Sequence, residues 1–272
     1  MNKNEISNII SKKLSENAHE LNLAFKKNGS LAYCVIDNLL PNELALKIFH
    51  SFPKGGDMMA KKSLRESKYV ATQMNRYDPI LENAIYAFQE SSILDSVEKI
   101  TEIKKLVADD RLYAGGISLM GRGMFLNPHI DNSHNNERKL YRVLNLLYYV
   151  EPESELKSNS GGNLELWPNG IDGEPVVIES RFNRLVIMAT HKTSLHSVSP
   201  ITADRFRCCV SNYYFSENSF EGVDYFHVTS FRGRPEQPFR DLILRLDSLT
   251  RMIVRKFAKN GVAKTKHIYK KN

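Results

Sequence analysis

Cysteine is scarce in this chain of 272 residues. Cys34, Cys208 and Cys209 are the three present, an odd count without metal-ligand spacing. That pattern excludes a disulfide framework or a zinc ribbon and points to a reducing, cytoplasmic compartment. Long apolar runs are missing too. The best one, Val143 to Val150, already contains Asn145 and falls well short of the ~20 apolar residues of a membrane span. The polar opening, Met-Asn-Lys-Asn-Glu, lacks the apolar stretch of a secretory signal, so a soluble protein is expected. No internal repeat and no low-complexity linker occurs, which sets aside solenoids and strings of modules.

Charge of one sign is lacking from most of the chain. The net charge is +7, but ten Lys/Arg against Asp241 and Asp247 between Arg240 and Asn272 give that tail a surplus of eight, leaving the rest at −1. The basicity therefore belongs to the C-terminus and not to the body. A hydrophobic content of 42% with 25% charged residues is ordinary for a globular chain with a sizeable core.

Ile6, Ile9, Ile10, Leu14, Leu21 and Phe25 recur at spacings near three and four, which predicts one amphipathic helix or a pair. Ser30 to Asp37 alternates like a strand, and Pro41-Asn-Glu opens a helix with proline in its first turn. The polar stretch Lys61 to Arg76 reads as a loop or short elements, a candidate substrate-facing lid. Ser91 to Leu106 is helical again. From Leu112 the pattern changes to short apolar runs divided by Gly, Pro and Asn. Ile117 to Met120, Tyr141 to Val150, Asn163 to Trp167, Pro175 to Ile178, Arg184 to Ala189 and Phe206 to Phe215 read as successive strands of an antiparallel sandwich or barrel.

Into this β-rich part falls the triplet His129-Ile130-Asp131, followed far downstream by His196 and a later arginine. Alternation along a strand turns His129 and Asp131 to one side, and His196 comes from another strand. Two histidines and one carboxylate make the open-faced ligand set of a non-heme Fe(II) site, with coordination positions left for other molecules. A following arginine suits a cosubstrate with a carboxylate tail, which its planar fork can grip through two hydrogen bonds. His191, in the turn before His196, is expected to be a surface histidine.

Four segments carry a resemblance to the prolyl 4-hydroxylase-like branch of the Fe(II)/2-oxoglutarate dioxygenases. They are Pro128 to Asp131, Arg142 to Tyr149, Ser160 to Pro168, and His196 to Pro200 leading to Arg205. The resemblance implies a mainly β fold with flanking helices, built on a double-stranded β-helix (jelly-roll, cupin-like) core. It also implies Fe(II) held by His129, Asp131 and His196, with 2-oxoglutarate as cosubstrate, dioxygen as co-reactant and ascorbate as a support. It selects Arg205, nine positions after His196, for the C5 carboxylate of 2-oxoglutarate, with Arg207 as the rival. Tyr149 would assist that carboxylate, and Leu147 and Val198 would form apolar walls. Relatives often have a tyrosine on the strand before the H-x-D triplet, where this chain has Leu119 and Met120, so the cosubstrate pocket is expected to be one hydrogen bond poorer.

The organisation expected is an N-terminal helical and strand support over residues 1–110, a catalytic core over 111–216 and a C-terminal extension with a basic helix over 217–272. The expected activity is hydroxylation of a C–H bond in a small metabolite, amino acid or saccharide unit, with release of succinate and CO2. Peptidyl-prolyl hydroxylation and a non-catalytic jelly-roll binding protein are the alternatives. Gly161-Gly162 is expected to serve a turn. Asp224 to Pro235 could contact an anionic substrate through His227, Arg232 and Arg234, or could simply cap the barrel. In the tail, Leu242, Leu246, Leu249, Ile253 and Phe257 at helical spacing could pack on the barrel, the commonest arrangement, or make a dimer or membrane-surface contact. No nucleic-acid partner is expected: no DNA-binding motif occurs, and Arg205-Phe-Arg207 does not reproduce the longer arginine signature of nucleic-acid demethylases.

Overall fold

The computed structural model describes residues 1–152, 160–257 and 268–270. Two helices, α1 (Lys3–Glu16) and α2 (Ala18–Lys27), satisfy the expected periodicity as a pair. A capping box between Asn2 and Glu5 starts α1. Their apolar stripes, Ile6, Ile10 and Leu14 then Leu21 and Phe25, are buried against α4 (Pro79–Ala87) and α5 (Ser91–Thr101). Each such side chain stabilises the layer by roughly 1.5–3 kcal/mol on burial. After α2 come β1 (Tyr33–Asp37) and α3 (Asn42–His50), the latter opened by Pro41.

The rest is antiparallel sheet. The strands are β2 (Met59–Lys62), β3 (Glu66–Ala71), β4 (Val107–Ala108), β5 (Gly116–Met120), β6 (Phe125–Ile130), β7 (Tyr141–Tyr149), β8 (Leu164–Leu166), β9 (Val176–Ile178), β10 (Arg184–Ala189), β11 (His196–Val198), β12 (Arg207–Ser216) and β13 (Ser230–Phe231). Their order, β1-β10-β7-β12-β5-β3-β6-β11-β8-β9, curls the sheet into a half-barrel, with β2, β4 and β13 at its margins. Alternation divides β7 between two faces. Leu144, Leu146 and Tyr148 join the main core with the helices, and Asn145 and Leu147 face the hollow of the half-barrel. On β12 the same rule sends Cys208, Val210 and Tyr214 into the core and Arg207, Cys209, Ser211 and Tyr213 into the hollow. The three cysteines are free and buried.

Three expectations needed correction. The stretch from Lys61 to Arg76 is indeed short elements, but half of it is built into the sheet and not a free lid: β2 and β3 form a hairpin, and β3 fills the gap between β5 and β6. Its cavity-facing residues are polar, so no apolar alternation announced it. His191 is not a surface residue; it is 4% exposed and stacked on Phe220. Finally, the helix α6 (Pro238–Phe257) turns its apolar stripe outward. Leu242, Leu246, Leu249, Ile253 and Phe257 are exposed, while Leu244, on another face, is buried, and ion pairs flank that contact. Asp241 pairs with Arg232, and Asp247 with both Arg65 and Arg251. Four of the basic tail residues, Lys259, Lys264, Lys266 and Lys271, lie outside the described residues. No helix among the described residues is long and apolar enough to cross a membrane.

Candidate active site

His129 is near the end of β6 and His196 begins β11; the two strands are antiparallel neighbours, with these residues directly opposite. Asp131 follows one residue after β6 ends. One candidate ligand atom from each of the three residues lies within 4.8 Å of the others, and all three side chains are largely buried. Both imidazoles approach the same carboxylate, His129 Nε2 at 3.7 Å from Oδ1 and His196 Nε2 at 3.7 Å from Oδ2.

The backbone sets the tautomers. His129 Nδ1 is 3.0 Å from the carbonyl oxygen of Asn127, and His196 Nδ1 is 2.9 Å from that of Ser194. A carbonyl can only accept, so each Nδ1 carries the proton and donates it. Each Nε2 is then left with a lone pair directed at the cluster. Burial, followed by the neighbouring His196, pulls the pKa of His129 down to about 3, which keeps the ring neutral. Burial alone would raise Asp131, but Arg142 and the two histidines outweigh it and hold the carboxyl far below its ordinary range. Arg142 Nη1 is 3.3 Å from Asp131 Oδ1, while Asp131 Oδ2 is buried without a hydrogen-bond donor. Two imidazole lone pairs and an orphaned carboxylate oxygen suit a divalent cation. Phe231 of β13 stacks on His129 with ring centroids 5.0 Å apart and fixes the ring's outer face.

The triad opens on a cavity of about 340 Å³. Leu147, Val198 and Arg207 are on its wall, as is Met120. Arg207 is buried; its Nη2 donates to the Tyr149 hydroxyl at 3.2 Å, and its Nη1 is 3.9 Å from the Met120 sulfur. Burial pushes the Tyr149 hydroxyl up to about 12, so it stays protonated and can donate. Arg205 is placed elsewhere. It precedes β12, outside the cavity, where its guanidinium donates to Glu151 at 2.6 Å and to Ser160 at 3.1 Å. The arginine on the cavity wall is therefore Arg207 and not the Arg205 that the spacing from His196 selected, because counting along a chain does not show where a turn ends and a strand begins.

Arg232 and Arg234 do not face the cavity as free cations: Arg232 is paired with Asp241, and Arg234 is buried against Glu165 at 2.7 Å. That segment caps the half-barrel through β13, with His227 at a neighbouring pocket. Sequence reasoning missed Lys61, Lys68, Arg142 and Tyr213, which also line the cavity. For Lys61 and Lys68 the available signal was a polar run with β-branched and aromatic residues at its end, Lys68-Tyr-Val.

Gly161 and Gly162 both have positive φ, at +72° and +76°. A Cβ on Gly161 would lie 1.8 Å from the Pro200 carbonyl oxygen, so the turn is built for glycine. It leads the chain into β8, alongside β11.

A sequence profile described as the 2OG-Fe(II) oxygenase superfamily matches residues 115–215. Solved structures of similar fold include a prolyl hydroxylase from Trichoplax adhaerens in complex with a peptide fragment of hypoxia inducible factor. It is 20% identical, with 76% of this chain and 93% of that chain covered and a TM-score of 0.54. A Pseudomonas putida prolyl-4-hydroxylase is 12% identical over 72% of this chain and 98% of its own, with a TM-score of 0.53. The non-heme alpha-ketoglutarate-dependent epimerase SnoN of nogalamycin biosynthesis is 13% identical over 74% of this chain and 83% of its own, at 0.50.

Proposed function

We propose that this chain, whose residues 115–215 match the 2OG-Fe(II) oxygenase superfamily profile, is a dioxygenase that hydroxylates a C–H bond of a small metabolite, amino acid or saccharide unit. His129, Asp131 and His196 hold Fe(II), and Arg207 with Tyr149 holds 2-oxoglutarate. The observation that carries this reading is the convergence of two Nε2 lone pairs and the unpartnered Asp131 Oδ2 in a cavity whose wall also carries a buried arginine. When bound, the iron supplies the redox chemistry that splits 2-oxoglutarate into succinate and CO2 while dioxygen oxidises the substrate.

The protein's part is binding and orientation. Arg207 fixes the remote carboxylate of the cosubstrate through its planar fork, and the Tyr149 hydroxyl adds a donor. Leu147, Val198 and Met120 line the space between as apolar walls and limit water there. Arg142 holds Asp131 ionised and turned toward the histidines. The backbone carbonyls of Asn127 and Ser194 hold both histidines in the tautomer a metal requires.

A chamber of about 220 Å³ adjoins the cavity and suits a small substrate. Peptidyl-prolyl hydroxylation is the second reading, prompted by likeness to prolyl hydroxylases, with which the chain shares the fold. The test is succinate formation from 2-oxoglutarate with Fe(II), ascorbate and air, for wild type, His129→Ala and Arg207→Gln. Turnover in the wild type and its loss in both variants supports the reading. Absent turnover together with absent anaerobic binding of 2-oxoglutarate to the Fe(II) protein would sink it. Stoichiometric hydroxyproline in an acceptor-peptide screen would transfer the assignment to the second reading.

A further inference from the structure

The two connected chambers carry far more positive than negative charge. Lys61, Arg65, Lys68, Arg142, Arg207 and Arg251 stand on their walls against Glu66 and Asp131. Asp247, behind the wall, bridges Arg65 and Arg251 and offsets one of them. Loading the site does not remove the surplus: a divalent cation and a 2-oxoglutarate dianion cancel one another, and Arg207 is then taken.

What remains is concentrated in the smaller chamber, away from Arg207. Lys61 and Lys68 reach it from the β2–β3 hairpin and share one carboxylate, Glu66, at 3.9 Å and 2.9 Å. Arg142 enters from β7, almost fully buried and spread over the Tyr213 ring at 4.4 Å. It is bonded to Asn132 at 2.8 Å and ion-paired with Asp131, yet its Nε is buried with no acceptor. Asp131 is also the carboxylate assigned to the metal, which leaves Arg142 less of its charge. Ser118, Ser211 and Tyr213 add hydroxyls to the same walls.

We propose that this chamber is an anion subsite, and that the substrate is a small molecule bearing a carboxylate or phosphate. That group is read by Lys61, Lys68 and Arg142 while the rest of the molecule extends toward the triad. The inference rests on the reading above and deepens it by naming the substrate's charge class. Lys61 and Lys68 are specificity-determining residues in this scheme. They select the substrate and position it beside the metal.

The test is calorimetric titration of inorganic phosphate and of acetate into protein loaded with Mn(II) and saturating 2-oxoglutarate, which occupies Arg207 without turnover. Wild type, Lys68→Gln and the Lys61→Gln/Lys68→Gln double variant are compared, with circular dichroism to verify folding. One saturable anion site is expected in the wild type, about fivefold weaker in the single variant and tenfold or more weaker in the double. The affinity for 2-oxoglutarate should change less than about twofold. Tighter phosphate binding assigns a phosphorylated substrate, and tighter acetate binding a carboxylate. The inference is overturned if neither anion binds, or if the folded double variant binds both as the wild type does. Should 2-oxoglutarate itself fail to bind, the proposed function falls, and the wild-type-to-variant comparison without it still decides the anion subsite.

Discussion

Replacing Arg207 by glutamine should abolish most of the affinity for 2-oxoglutarate, whereas the same change at Arg205 should leave it nearly intact. Arg207 is buried, donates to one neutral hydroxyl at 3.2 Å, and leaves Nε without an acceptor. A desolvated cation so poorly compensated has most of its bonding capacity left for a ligand. Two charge-assisted hydrogen bonds to a carboxylate contribute about 1.5–3 kcal/mol each. Part of that is returned, since the free variant no longer buries a charge. A net loss of about 2–4 kcal/mol corresponds to about 30- to 1,000-fold in Kd. Arg205 instead spends its guanidinium on Glu151 and Ser160. Arg205→Gln should cost about 2–4 kcal/mol of stability, because it leaves the buried Glu151 carboxylate without its partner, and change the Kd by less than about threefold. Anaerobic calorimetry with Mn(II) reads both values. Lost binding in Arg205→Gln with retained binding in Arg207→Gln would refute the assignment of the cavity wall.

Three other outcomes follow from the geometry. Gly161→Ala should destabilise the fold by about 3 kcal/mol or more, because positive φ and the Pro200 carbonyl at 1.8 Å from the new Cβ both oppose it; chemical denaturation measures this. Leu244→Ala should cost about 2–3 kcal/mol and Leu246→Ala under about 0.5, since Leu244 is 2% exposed and Leu246 57%; a larger loss at Leu246 would mean that α6 packs with its other face inward. The metal-free protein should lose stability as pH falls from about 6.5 toward 3. His129 has a folded pKa of about 3 against an ordinary 6.5, so the unfolded chain takes up a proton that the folded chain refuses. Between pH 7 and 5 this group alone contributes about 2 kcal/mol to the loss. His129→Ala should show a shallower decline in melting temperature over that interval.

The histidine-aspartate triad was legible because metal ligation restricts residue type and spacing so narrowly that His129, Asp131 and His196 stand out from any background. Most strands from β5 onward were legible because they are short apolar runs, buried largely on both faces, divided by Gly, Pro and Asn. β6, although it carries His129, was harder to see: Asn127-Pro128-His129 sits buried at its centre and breaks any apolar alternation. The β2–β3 hairpin was disguised for the same reason.

Composition and pattern by themselves determined the β-rich core, the helical layer before it and the metal-competent triad, all consequences of local periodicity and ligand chemistry. Tertiary structure alone decided the rest. It put Arg207 and not Arg205 on the cavity wall, because the face an arginine occupies depends on where β12 begins. It gathered Lys61 and Lys68 beside the triad, since β3 reaches β5 and β6 only through pairing across some 50 residues of chain. It also turned the apolar stripe of α6 outward: amphipathic spacing defines a face, but buried Leu244 and the pairs Asp241–Arg232 and Asp247–Arg65 are what meet the body.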